Sequence, residues 1–149
     1  MRVPSCAAVV LLLAAPLAAD DAIEPGFKAL LNGKDLTGWK TKGKPGESLD
    51  GKTEAYKGRF KVSKDGTLVI DPAVKGDVRI ETAEEFEKAV TIRFEFRPGT
   101  GCNNDLFLFG SKFDINPAQL KMVKVGEWNT MEIAAAGGTN VFKINGETA

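Results

Sequence analysis

Ala89-Val90-Thr91-Ile92-Arg93-Phe94-Glu95-Phe96-Arg97 is the stretch whose reading decides the fold. Val90, Ile92, Phe94 and Phe96 alternate with Thr91, Arg93, Glu95 and Arg97, and a period of two sends the two sets to opposite faces of an extended chain. One face of this strand packs, and the other meets solvent or a ligand.

Outward from it, the chain continues in the same idiom. Pro98-Gly99-Thr100-Gly101 makes a turn, and Leu106-Phe107-Leu108-Phe109, apolar at every position, reads as a strand covered on both faces. Lys112 to Ile115 gives a short strand, Pro117 to Val125 a connection, and Trp128 to Ala134 another strand, with Gly137-Gly138 turning into Asn140 to Ile144. Upstream, Arg59 to Val62 and Thr67 to Ile70 flank Lys64-Asp65-Gly66 as a hairpin closed by Asp71-Pro72, and Val78 to Thr82 adds a strand. Ala83 to Lys88 is a polar bridge with room for one helical turn. Thr41 to Gly58 is rich in Gly, Lys and acidic residues without an apolar period, so it reads as a long surface loop leading to Tyr56 at the edge of a site. Short strands at close spacing with no amphipathic helix predict an antiparallel all-β sandwich. Phe27, Leu31, Ile92, Phe94, Phe96 and Ile133 are its expected core, each in the apolar phase of its strand.

The N-terminus reads differently. Arg2, the apolar run Ala7 to Leu13 and the small residues Ala14-Ala15-Pro16-Leu17-Ala18-Ala19 have the order of a secretory signal peptide over residues 1–19, with cleavage near Ala19-Asp20. Cys6 precedes the apolar run instead of closing it, which argues against a lipoprotein anchor. No other segment approaches the ~20 apolar residues of a membrane helix. The expectation is an exported protein, periplasmic or extracellular, with no membrane partner after cleavage and with residues 20–149 as a single domain.

Composition removes several function classes. The 20 basic and 20 acidic residues balance and are scattered, so there is no electrostatic footprint for nucleic acid or an anionic membrane. Beyond the leader Cys102 stands alone, which excludes an intrachain disulfide framework. There is no histidine, so Ser-His-Asp and Cys-His catalysis and His-ligated zinc or iron are excluded. Carboxylates, Arg, Lys, Tyr, amides or an oxygen-ligated metal ion remain.

The stretch Gly26-Phe27-Lys28-Ala29-Leu30-Leu31-Asn32-Gly33-Lys34-Asp35-Leu36-Thr37-Gly38-Trp39 combines an apolar strand, an Asn-Gly turn and a Gly-Trp restart. It closely resembles the opening of the 3-keto-disaccharide hydrolase domain, a family of concanavalin-like β-sandwiches of jelly-roll type. Arg93-Phe94-Glu95-Phe96-Arg97 and Gly126-Glu127-Trp128-Asn129 extend the resemblance. The family's domains close their sheet with further strands, one bearing Arg, whereas only Glu147-Thr148-Ala149 follow the hairpin signal Asn145-Gly146. The expected sandwich is therefore incomplete at its C-terminal end, with no return strand.

The resemblance implies cleavage of a glycoside oxidised at C3, in which the keto group acidifies the C2 proton, a base removes it, and the C1 substituent leaves before water adds. Such a site needs a carboxylate base and a cation facing the developing oxyanion. Arg93, Glu95 and Arg97 share one face of their strand, where they form either a sugar-binding surface or solvent-facing ion pairs. Glu95 is the first choice for the base, Asp105 the second, and Arg97 the electrophilic partner. Arg93, Asn103 and Asn104 are the expected substrate-binding residues, the amides of Gly101-Cys102-Asn103-Asn104-Asp105 offering donors and acceptors for sugar hydroxyls or else closing an Asx turn. Against the family pattern Asn-Ser-Gly, three apolar residues and Arg, this chain has Asn103, Asn104, Asp105 and Phe109, so the cation falls to Arg93 or Arg97. Asp114 with Asn103 and Asp105 would make an oxygen-rich calcium or magnesium site. Trp39 and Trp128 either fill the core or stack on a sugar ring. The competing function is a non-catalytic carbohydrate-binding or structural β-sandwich module.

Overall fold

A computed structural model of the chain describes residues 7–11, 23–87 and 89–149. Among the described residues every regular element is a strand, and the fold class is the antiparallel all-β class of the concanavalin-like sandwich. No helix among them is long and apolar enough to cross a membrane. The described residues divide into two compact units, one within Leu11–Phe86 and one within Glu87–Ala149, the second including residues 7–10.

Apart from β1 (Ala7–Leu11), the residues read as a leader lie outside those described.

The first unit is built from β2 (Phe27–Ala29), β3 (Trp39–Thr41), β4 (Glu54–Ala55), β5 (Phe60–Val62), β6 (Leu68–Ile70) and β7 (Ile80–Thr82). β3 pairs with β7, Trp39 opposite Thr82, and β4, β5 and β6 form a three-stranded sheet with Lys61 opposite both Glu54 and Val69. Phe60 and Val62 are buried and Lys61 between them is exposed, so the period-two pattern sets which face of β5 packs. They join Leu36, Leu49 and Ala55 in a cluster against which Trp39, Tyr56, Leu68, Val78 and Ile80 rest. The Asn32-Gly33 turn forms as its residues predict: Asn32 Oδ1 accepts the backbone N–H groups of Lys34 and Asp35, and Gly33 takes a φ of 70°.

Two expectations fail in this unit. The stretch from Thr41 to Gly58 is no mere surface loop, since Leu49 and Ala55 are core residues and Glu54–Ala55 pairs as a strand. Tyr56 donates its hydroxyl to Arg79 O at 2.9 Å and so braces the loop. The bridge after Thr82 holds no helical turn among its described residues, only a bend at Ala83 and Glu84. Leu31 is buried as expected, while Phe27 is half-buried.

The second unit contains β8 (Val90–Phe96), β9 (Asn104–Leu108), β10 (Ser111–Ile115), β11 (Asn129–Ala136), β12 (Thr139–Ile144) and β13 (Glu147–Thr148), with the sheet order β13-β12-β11-β8-β1. Phe94 stands opposite Met131, which stands opposite Ile144, and this register lines up the inward phase of three strands. Val90, Phe94, Phe96, Met131, Ile133, Ala135 and Ile144 are buried there, while Ile92 is half-buried. The opposite phase carries Thr91, Arg93 and Glu95 beside Thr130, Glu132 and Lys143.

Gly137-Gly138 and Asn145-Gly146 both have positive φ, as two-residue type I′ hairpin loops require. After Asn145-Gly146 the chain does return: β13 pairs with β12 through Ile144↔Glu147 and Lys143↔Thr148, correcting the expectation of no return strand. The β9–β10 hairpin rests its inner face on this sheet, with the Phe113 and Phe142 rings stacked 4.1 Å apart at 10°. Its other face is open, Phe107 being 42% and Phe109 38% exposed, so Leu106 to Phe109 is not covered on both faces.

Candidate functional site

The outer phase of β8 keeps Arg93, Glu95 and Arg97 together as the alternation predicts, but their surroundings differ. Arg93 Nε donates to Glu132 Oε2 at 2.8 Å, and Lys143 Nζ stands 3.8 Å from the other oxygen, Glu132 Oε1. The register puts Glu132 directly opposite both cations, so Arg93-Glu132-Lys143 is a row of cross-strand ion pairs. Arg93 is thus committed within the protein. Glu95 faces Thr130, and its carboxylate has no hydrogen-bond or ion-pair partner among the described residues. Arg97 is exposed and lies over the half-buried Trp128 ring, 5.2 Å from its centroid.

Asn103, Asn104 and Asp105 take a different place. Asn103 is exposed just before β9, whereas Asn104 faces inward and donates to Cys102 Sγ at 3.7 Å. Burial pushes the Cys102 thiol above its ordinary value, partly offset by its hydrogen bonds with Asn104. Asp105 stands opposite Asp114 on the open face of the hairpin. Because Phe113 and Phe142 join the other face of the hairpin to the inward phase of the sheet, Asp105 and the outer-phase residues of β8 lie on different faces. The structure does not gather the expected catalytic and substrate-binding residues into one group.

A calcium or magnesium ion does not fit at Asp105 and Asp114. Lys112 Nζ stands with the two carboxylates, 2.6 Å from Asp114 Oδ1 and 3.4 Å from Asp105 Oδ1, and supplies the positive charge itself. Among the described residues no group of three or more His, Cys, Asp or Glu side chains is placed to hold a metal. Asp114 Oδ1 is enclosed and lacks a hydrogen bond of good geometry, so its contact with the ammonium is ionic. The ammonium holds the Asp114 carboxyl below the usual carboxylate range, with Asp105 adding to the effect. In return Asp114 raises the Lys112 ammonium above its ordinary value.

Sequence reasoning missed the polar hub beneath the Arg97–Trp128 pair. Asn129 is 1% exposed and fully bonded: Oδ1 accepts from Lys124 N and Asn145 Nδ2, and Nδ2 donates to Lys124 O and Glu127 O, all at 2.9 Å. Asn145 also donates to Met122 O and accepts from Thr130 N, so one Asn-Gly turn serves as a hairpin loop and a brace. The only sequence signal was a pair of asparagines, one after Trp128 and one in a hairpin loop.

An antiparallel all-β protein with a charged outer strand face is the class these observations define. Residues 26–119, well over half of the chain, match the model of the 3-keto-alpha-glucoside-1,2-lyase-like domain, and the chain belongs to that family. The match includes β8, β9 and β10 and ends before Trp128 and Asn129, so the late Gly-Glu-Trp-Asn element lies beyond it. No curated protein and no solved structure matches the chain.

Proposed function

We propose that the protein is an exported enzyme that cleaves 3-keto-glycosides by base-assisted elimination followed by hydration. The observation that carries this reading is the partnerless Glu95 carboxylate, set between Arg93 and Arg97 on the outer face of β8 in a chain of this family. A general base must be free to take a proton, and a carboxylate already committed to a fixed cation is a poorer one. Glu95 takes the C2 proton and the electron pair moves into the C2–C3 bond as the C3 oxygen becomes an enolate. The C3 carbonyl then re-forms as C1=C2 forms and the C1–O bond breaks, and the departing oxygen keeps the bonding pair and takes up the proton. Water adds to the resulting unsaturated sugar. Arg97, exposed and unpaired with any carboxylate among the described residues, supplies the positive charge for the C3 oxyanion.

Release of the aglycone from a 3-keto-glucoside, followed for the parent chain and for Glu95→Gln, tests the proposal. The amide keeps the carboxylate's shape without its basicity, so the variant should fold like the parent and lose turnover. Equal turnover in the two chains removes Glu95 as the base. Sugar binding without turnover in the parent would make the protein a carbohydrate-binding module instead.

A further inference from the structure

Arg97 and Trp128 meet one residue beyond the last paired positions of their strands, Phe96 opposite Asn129. Side chains at a frayed strand end are ordinarily free to move, yet both backbones here are tied down. Gly126 N–H donates to Pro98 O at 2.8 Å, joining the residue after Arg97 to the loop that carries Trp128. Gly126 has a φ of 78°, the left-handed conformation that glycine adopts without steric penalty. On the other side, the buried Asn129 amide holds Lys124 and Glu127. Pro98 is itself buried. A framed aromatic ring and an exposed guanidinium 5.2 Å from its centroid meet the geometry of a cation–π contact.

Arg97 also differs from its neighbour on the same face. Arg93 is fixed by Glu132, a carboxylate that neutralises it, whereas Arg97 is fixed by a ring that leaves its charge and its N–H donors available. An arginine meant to meet a transient oxyanion has to be held without being neutralised, and an aromatic face provides that. We infer that Trp128 is a positioning residue, which holds the Arg97 guanidinium where it meets the C3 oxyanion formed when Glu95 takes the C2 proton. The inference rests on the function proposed for Glu95 and adds a role for a residue that lies outside the family match.

Steady-state turnover of a 3-keto-glucoside by the parent, Trp128→Phe, Trp128→Leu, Arg97→Gln and the double variant Trp128→Leu/Arg97→Gln tests it. Trp128→Leu stays apolar and loses the ring face, so kcat should fall on the order of 10-fold with KM within about 2-fold, as expected when an oriented group is loosened. Trp128→Phe keeps a ring and should recover to within about 3-fold of the parent. In the Arg97→Gln background Trp128→Leu should cost nothing more, because its effect passes through the missing guanidinium. Losses that multiply in the double variant, or a Trp128→Phe chain as slow as Trp128→Leu, overturn the role. If Trp128→Leu does not fold, the Arg97 side-chain proton resonances of the parent decide: an upfield ring-current displacement relative to Arg93 supports the role, and coincident shifts overturn it. A parent without turnover removes the proposed function and this role with it, whereas an active parent without the coupling removes the role alone.

Discussion

Strand β8 and the β9–β10 hairpin both carry charges at period two, and they dispose of them in opposite ways. On the outer face of β8 only Arg93 is neutralised by a carboxylate, through Glu132, while Glu95 has no partner among the described residues and Arg97 is held by an aromatic ring. On the open face of the hairpin Asp105 and Asp114 share Lys112, and no carboxylate of the cluster stands without a cation. Cross-strand register decides the outcome: Glu95 meets Thr130, which has no charge to offer, whereas Asp105 meets Asp114 with Lys112 two residues away on the same strand and face. The comparison teaches that a carboxylate's availability depends on the partner strand as much as on its own strand's pattern.

The largest effect expected from this contrast is on turnover. Glu95→Gln should lower kcat by about 10²–10⁴-fold, the usual worth of a general base, while Asp105→Asn should stay within ~3-fold of the parent. Measured on one 3-keto-glucoside, a reversal of the two would move the chemistry to the hairpin and break the comparison.

Stability separates the regions as well. Phe94 is 7% exposed in the inward phase of β8, with its ring 6.1 Å from Phe96, and Phe94→Ala should cost about 3–5 kcal/mol. Phe107, 42% exposed on the hairpin, should cost no more than about 1 kcal/mol on the same truncation. Denaturant midpoints measure both, and an unchanged midpoint for Phe94→Ala would mean that the face of β8 was misassigned.

What the sequence made legible follows the same division. The alternation from Val90 to Phe96 foretold both faces of β8, and Lys64-Asp65-Gly66 and Gly137-Gly138 foretold their hairpins, because these signals are local. Leu49 and Ala55 were hidden, since single apolar residues in a polar stretch acquire a partner only through tertiary contact. The apolar string Leu106 to Phe109 pointed to double coverage, yet nothing in it says that one face of the hairpin stays open. At the candidate site the shared face of Arg93, Glu95 and Arg97 was legible from spacing. The differing residues across from them, Glu132, Thr130 and Trp128, lie over thirty residues away in sequence, and only the register of β8 with β11 brings them across. The separation of Asp105 from Glu95 was equally invisible, as it follows from which hairpin face Phe113 turns toward Phe142.

A smaller effect concerns turns. Phe109-Gly110 and Asn145-Gly146 are both two-residue loops with positive φ at each residue, 48° at Phe109 and 52° at Asn145. Asn tolerates that conformation, while Phe is strained in it and stays 38% exposed, so little packing compensates. Phe109→Asn should therefore stabilise the chain by about 1 kcal/mol in urea denaturation. A destabilised variant would show that the exposed ring contributes packing that outweighs the strain.

The smallest effect expected is the pH response of the hairpin cluster, because both side chains of the pair are partly exposed and salt screens their attraction. The Asp114 carboxyl is held below the ordinary 3.8 of a free Asp, first by Lys112 and then by Asp105. A carboxylate with a depressed folded-state value contributes stability above 3.8 that is lost as pH falls through the lower folded value. Lys112 is raised above 10.5, first by Asp114, so its contribution is present below 10.5 and is lost as pH rises through the higher folded value. The pair should thus support the fold across the middle of the scale and fail at both ends. Lys112→Gln removes the cation on which both contributions depend, so denaturation midpoints of parent and variant should differ most near neutrality and converge below the Asp114 transition and above the Lys112 transition. The same substitution should leave the pH dependence of kcat untouched, since Glu95 lies on a different face from this cluster. A shifted kcat profile in Lys112→Gln would tie the two regions together electrostatically and end the contrast drawn between them.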